Sequence, residues 1–274
     1  MKYFIKELNK GFETKEKLFE YLKANKQLLL TKKKSSIKNK TNGGILGFLD
    51  VKTQTIKELP NMEEEYIYPI ISNTNYLDSH KDVHLNGSMT KTAKDQNGKI
   101  YYLADHKMEI DKIIAFPKDV EIYMQTVKWS DIGRSFPGTT EVMVFKIHKN
   151  NIKHAKYKEF LEDGHKFPNS IRMMYLKIDV AFNSKEPEYK EEYKVWLEVA
   201  PLIVNKEQLE EEPFFYAVRE LKIISEGSAV LDASNDATTT ETKETKEEEK
   251  EAGAGPTTPT EPSNDTLKAN FYNS

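Results

Sequence analysis

Ser170-Ile171-Arg172-Met173-Met174-Tyr175-Leu176-Lys177-Ile178-Asp179-Val180 is a run of β-branched, aromatic and long apolar residues. It is entered from the turn formers Gly164, Pro168 and Asn169. The run predicts a long strand, with a serine at its edge where a substrate can reach it. The same composition, often alternating, recurs over residues 66–72, 100–104, 120–129 and 141–148. Antiparallel sheet is therefore expected to dominate the region from about residue 66 to 231. Within it, Ile152, Ala155, Phe160 and Leu161 form a helical stripe over 151–163, closed by Gly164 at the C′ position. A second helix is expected between 189 and 209.

Towards the N-terminus, Leu18, Phe19, Leu22, Leu28 and Leu29 fall at roughly helical spacing, with Thr14 placed as N-cap. One amphipathic helix is predicted over 14–30. It runs into the basic stretch from Lys32 to Lys40 and then Asn42-Gly43-Gly44, where a helix has to stop. The lysine run reads as a solvated helix end, with docking to a partner's surface as its functional alternative. After Ala233 the composition turns to Thr, Glu, Lys, Pro and Gly, which cannot bury enough apolar surface to fold. The expected division is an N-terminal helical and basic arm over 1–60, a folded domain over 61–232 and a disordered acidic tail over 233–274. Leu267 to Tyr272 form a small apolar cluster that reads equally as a docking peptide or as chance.

The 274 residues, with a hydrophobic fraction of 38%, can bury one full core. A net charge of −3 gives no global field for nucleic acid. The absence of cysteine excludes disulfides, thiolate metal sites and a cysteine nucleophile, so a covalent catalyst here has to be an oxygen or a lysine. The N-terminus meets a charge too early for a signal-peptide core, and no apolar run is long enough to cross a bilayer. Residence in a cytoplasm is expected.

Six histidines are available. His148 and His154 flank a lysine-rich strand-to-helix junction and read as surface residues. His80, Asp82 and His84 alternate and could face one way as a metal site, but they lack a further ligand. His106 follows the apolar run Ile100-Tyr101-Tyr102-Leu103-Ala104, which would fix it at the end of a buried strand, as a base requires. From pattern alone, a structural histidine explains it as well. Ser170 by composition is a turn residue; to react it needs an imidazole within hydrogen-bond reach and a third group holding that imidazole.

The stretch from Asn169 to Asn183 resembles the serine motif of phage prohead proteases. Glu220 to Leu231 is similar to the closing segment of that family, Asp78 to Met89 to its opening motif, and Asp105-His106-Lys107 to its histidine motif. The resemblance runs over nearly all of residues 1–240 in the family's order. It implies an α+β fold like the herpesvirus assemblins, a mainly antiparallel β-barrel surrounded by helices. It further implies a serine endopeptidase with Ser170 as nucleophile, His106 as general base and Glu226 as third member, Glu220 being the alternative. Relatives often carry histidine at the position of Asn169 and glycine at that of Arg172, so Arg172 either alters the oxyanion geometry or supplies a charged donor to it.

The family's substrates are the major capsid protein and the scaffold. Cleavage of these, and of the chain itself, is expected inside the immature capsid in the host cytoplasm, with self-association and without a cofactor, a metal or a membrane. The competing expectation is a scaffolding or assembly protein with a vestigial protease domain, to be judged by whether Ser170 and His106 meet in space with an acid behind the histidine. Nucleic-acid binding through Lys32 to Lys40 has little support, because no aromatic-interleaved basic face follows the run.

Overall fold

The computed structural model describes residues 3–5, 8–46 and 63–231. The chain opens with an antiparallel hairpin of β1 (Tyr3–Ile5) and β2 (Lys10–Phe12). Thr14 then caps α1 (Lys15–Ala24), its hydroxyl oxygen accepting the Lys17 N–H at 3.4 Å. The single helix predicted over 14–30 is in fact two. Asn25 donates both its backbone N–H and its side-chain amide to the Tyr21 carbonyl, at 3.0 and 2.9 Å, and α2 (Lys26–Ser35) starts afresh. An asparagine side chain competes for the carbonyl that the next turn would use, so apolar spacing alone does not reveal the break.

The remaining strands are β3 (Lys38–Leu46), β4 (Tyr66–Ile67), β5 (Ile70–Asn73), β6 (Asp82–His84), β7 (Tyr101–Ala104), β8 (Ile113–Ala115), β9 (Glu121–Lys128), β10 (Thr139–His148), β11 (Pro168–Phe182) and β12 (Phe214–Ala229). Between them lie α3 (Thr90–Gln96), α4 (Ala155–Glu162), α5 (Lys190–Val199) and α6 (Lys206–Glu211). The helix predicted over 151–163 is α4, with Gly164 in the left-handed region at φ 83° just past its end. The helix predicted between 189 and 209 is divided into α5 and α6 around Pro201.

Long antiparallel β11 and β12 form the spine of the larger sheet, in the order β3-β11-β12-β7-β8. β6 and β7 pair in parallel with successive parts of β12. A smaller sheet carries β4 and β5 against β10, with β9 also on β10. The expected β-barrel is therefore corrected: none of the sheets among the described residues closes. A barrel needs its last strand to hydrogen-bond its first, whereas β3 and β8 end the order of the larger sheet and β9 and β10 pair only within the smaller one. Residues 38–46, which cover the end of the lysine run expected as a solvated helix end and the Asn42-Gly43-Gly44 expected as a helix stop, are a strand because the edge of β11 supplies their backbone partners.

The two sheets meet closely at Gly227, where a Cβ would lie 2.9 Å from the buried Phe145 ring. Helices α1 and α2, expected within an N-terminal arm, pack on the large sheet. Leu18, Phe19, Leu22 and Leu29 are buried, and Phe19 stacks on Phe182 with ring centroids 5.1 Å apart. Both helices belong to a compact unit spanning Met1–Thr238. The boundary expected near residue 60 and the expected tail over 233–274, with Leu267 to Tyr272, lie outside the described residues. Among the described residues no helix is long and apolar enough to cross a membrane.

Candidate active site

Ser170 lies two residues into β11, directly opposite Ser228 of β12. β7 runs parallel to this end of β12, so the chain leaves β7 beside the serine and turns at once. The turn is made by Asp105 and His106, both in the left-handed region at φ 54° and 57°. That conformation costs an L-residue about 1–3 kcal/mol and persists only where the surroundings enforce it. Here β12 enforces it: the Asp105 N–H donates to the Ala229 carbonyl at 2.8 Å, and the His106 N–H to the Ser228 hydroxyl at 3.2 Å.

The turn aims the imidazole between serine and acid. Ser170 Oγ donates to His106 Nε2 at 2.6 Å, and His106 Nδ1 donates to Glu226 Oε1 at 2.8 Å. A carboxylate only accepts, so the proton of the neutral ring sits on Nδ1 and the Nε2 lone pair faces the hydroxyl. The other oxygen, Glu226 Oε2, accepts the Ser228 hydroxyl at 2.6 Å. Ser170, Glu226 and Ser228 are fully buried, whereas the His106 side chain keeps 14% of its surface exposed. An imidazole so held can accept the serine proton and have its developing charge offset by the carboxylate behind it.

Neighbouring residues fix this line. Tyr102 of β7 donates to Asn169 Oδ1 at 2.7 Å and contacts the Tyr157 hydroxyl of α4 at 3.0 Å, which anchors the residue preceding the serine. Burial, with Tyr157 adding, pushes the Tyr102 phenol well above its ordinary value, so it remains a donor. Gly227, between Glu226 and Ser228, is the close approach to Phe145 and sets the height of that strand over the second sheet. Arg172 is partly exposed and sits where the β11–β12 register breaks between the pairs Ile171↔Gly227 and Met173↔Ile223. Ser225, in the excess of β12, has φ 67°.

Thus Ser170, His106 and Glu226 are brought together. Glu220, the alternative acid, is elsewhere: it pairs with Lys177 at 2.6 Å and Lys91 at 3.4 Å, and the Lys177 ammonium holds its carboxyl below the usual range. His80 is exposed, while Asp82 is ion-paired with Lys33 and accepts the Tyr175 hydroxyl at 2.8 Å. His84 is buried, its Nδ1 3.4 Å from Ser72 Oγ. His148 and His154 accept the backbone N–H groups of Asn150 and Tyr157 at 3.1 and 3.0 Å, capping a helical turn and α4. Ser228 and Gly227 were not picked out from the sequence. The signal for Ser228 is its offset of two from Glu226 on a strand, which puts both on one face.

Neither a family model nor a curated protein matches the sequence. Among the solved structures that match is the bacteriophage T4 capsid assembly protease. It has a TM-score of 0.37 and 10% identity, over 72% of this chain and 98% of that chain. At that score the two folds correspond too loosely for any residue of one to be assigned from the other.

Proposed function

We propose that the chain is a serine endopeptidase of the prohead type, acting on the capsid-protein N-terminal arm, the scaffold and its own chain inside the immature capsid. The observation that carries this reading is the continuous line of short hydrogen bonds from Ser170 through His106 to Glu226. In the proposed reaction His106 Nε2 takes the hydroxyl proton as Ser170 Oγ attacks a peptide carbonyl. The same imidazole returns the proton to the leaving amine, and water, activated the same way, releases the acyl group from Ser170. Glu226 keeps the ring in the Nδ1–H tautomer, and Ser228 keeps Glu226 in place. Arg172, beside the serine on β11, is the proposed charged donor to the oxyanion. No step calls for a cofactor. The 2.6 Å contact favours an enzyme over a scaffolding protein with a vestigial site, since an idle site has no reason to hold a left-handed histidine against a buried carboxylate.

The test is co-expression of this chain with the capsid precursor of its own phage, with and without Ser170→Ala, following both products by mass. Shortened capsid protein with the wild type alone is expected. Equal processing by the Ser170→Ala chain contradicts the reading.

A further inference from the structure

Ser170 has no accessible surface, although the role proposed for it requires contact with a substrate carbonyl. Two strands flank β11 at this point, and Ser228 of β12 and Thr41 of β3 both lie opposite Ser170. β12 carries Glu226 and Ser228 and belongs to the machinery. Among the described residues β3 is the outermost strand of the sheet, and it runs antiparallel along the serine strand, with Lys38 opposite Met173, Asn39 opposite Arg172 and Lys40 opposite Ile171.

Past Thr41 the ladder breaks. Ser170 and Pro168 are two positions apart on β11, but their partners Thr41 and Leu46 are five apart on β3. Asn42-Gly43-Gly44-Ile45 thus stand against Asn169 alone, bulge next to the serine and include two residues without a Cβ, which lets backbone come close. Lys, Asn and Gly, which make up most of 38–46, are poor strand formers. What holds this segment extended is the row of backbone groups on the β11 edge. Such an edge is a template for any extended peptide and reads main chain rather than a fixed side-chain sequence.

We propose that the β11 edge from Pro168 to Met173 is the substrate-binding strand, and that residues 38–46 occupy it in cis and keep the chain latent until an extended segment of a co-assembled protein displaces them. The proposal rests on the serine-protease reading. The tether to α2 is only Ser36 and Ile37, so the strand competes at an effective concentration of about millimolar. A dilute substrate loses that competition, whereas proteins packed inside a shell can win it. Latency until assembly thus follows from the connectivity.

The test uses the full chain and two separate variants, Asn39→Pro and Lys40→Pro. Alternate N–H groups of an antiparallel strand face its partner, so one of the two removes a donor to β11 and the other serves as its control, and both leave every group of the proposed catalytic line in place. Amide hydrogen exchange at 169–173 is measured together with the rate at which a fluorophosphonate labels Ser170. A synthetic peptide of residues 37–46 is then added. In the variant whose lost N–H faces β11 both rates are expected to rise at least about tenfold and to fall back with the peptide, with protection at 142–147 of β10 unchanged, and in the other to stay closer to wild type. Wild-type labelling as fast as that of both variants, with exchange unchanged, overturns the proposal, as does loss of protection throughout both variants. If exchange rises and the peptide restores it while Ser170 is labelled in no chain, the strand assignment stands and the protease reading falls.

Discussion

Two buried polar groups of residues sit on the same pair of strands and share their ingredients, a carboxylate with a histidine nearby. At one end Ser170, His106, Glu226 and Ser228 form a chain of hydrogen bonds. Further along, Tyr175 of β11 and Tyr216 of β12 frame Lys33, Asp82 and His84. In the second group the charges close on each other. Lys33 and Asp82 are fully buried and ion-paired, and the Lys33 ammonium also donates to the His80 carbonyl at 3.1 Å and lies 3.9 Å from the Tyr216 ring centroid. This pins α2 to the sheet. In the first group an imidazole stands between the carboxylate and a neutral hydroxyl, and it keeps an exposed edge. A carboxylate engaged by an ammonium holds structure, whereas one engaged by an imidazole that faces a hydroxyl can support proton transfer. The two groups should therefore fail differently.

The largest expected effect is on chemistry alone. Ser170→Ala should lower capsid-precursor cleavage by about 10⁴-fold or more while the melting temperature stays close to wild type. Next, Glu226→Gln keeps the shape of the side chain but offers His106 the wrong partner, and should cost about 10³–10⁴ in rate. Glu220→Gln should stay within about twofold of wild type. Equal losses for the two glutamates, measured as kcat/KM on one peptide, would place the acid wrongly.

In the second group the effect moves to stability. Lys33→Met leaves Asp82 buried without its counter-ion and should destabilise by about 3–5 kcal/mol in denaturant titration. Cleavage per folded molecule should be unchanged, and a collapse of activity in a folded Lys33→Met chain would mean that the two groups are one functional unit. A smaller effect, divided between rate and stability, belongs to Ser228→Ala, which removes one donor from a buried carboxylate. About 1–3 kcal/mol of stability and about 10- to 100-fold in rate should go together. A stability loss with the rate untouched would reduce Ser228 to packing.

The contrast also marks where the sequence was readable. β11 showed itself as a strand because its apolar and aromatic run is long and bounded by turn formers, and Thr14 and Gly164 showed themselves as helix punctuation. Sheet closure did not, because which strand pairs with which depends on partners far apart in the chain, such as β7 beside β12. Glu220 and Glu226 are an even number of positions apart, so alternation puts both on one face. The register breaks near Arg172 and at Leu176, with the left-handed Ser225, lie between them, and none has a local signature. His80, Asp82 and His84 looked like a cluster for the same reason. Their spacing could not show Lys33, which comes from a helix nearly fifty positions earlier. β3 was hidden because its residues do not favour strand and its partner edge does.

The most direct test of the whole account is a double-mutant cycle on Ser170 and His106, with cleavage of one capsid-precursor peptide measured for the wild type, Ser170→Ala, His106→Ala and the double variant. Nucleophile and base joined by a 2.6 Å hydrogen bond act as a unit, so all three variants should lose the same several orders of magnitude. Losses that multiply in the double variant, or a His106→Ala chain that cleaves as fast as wild type, would contradict it.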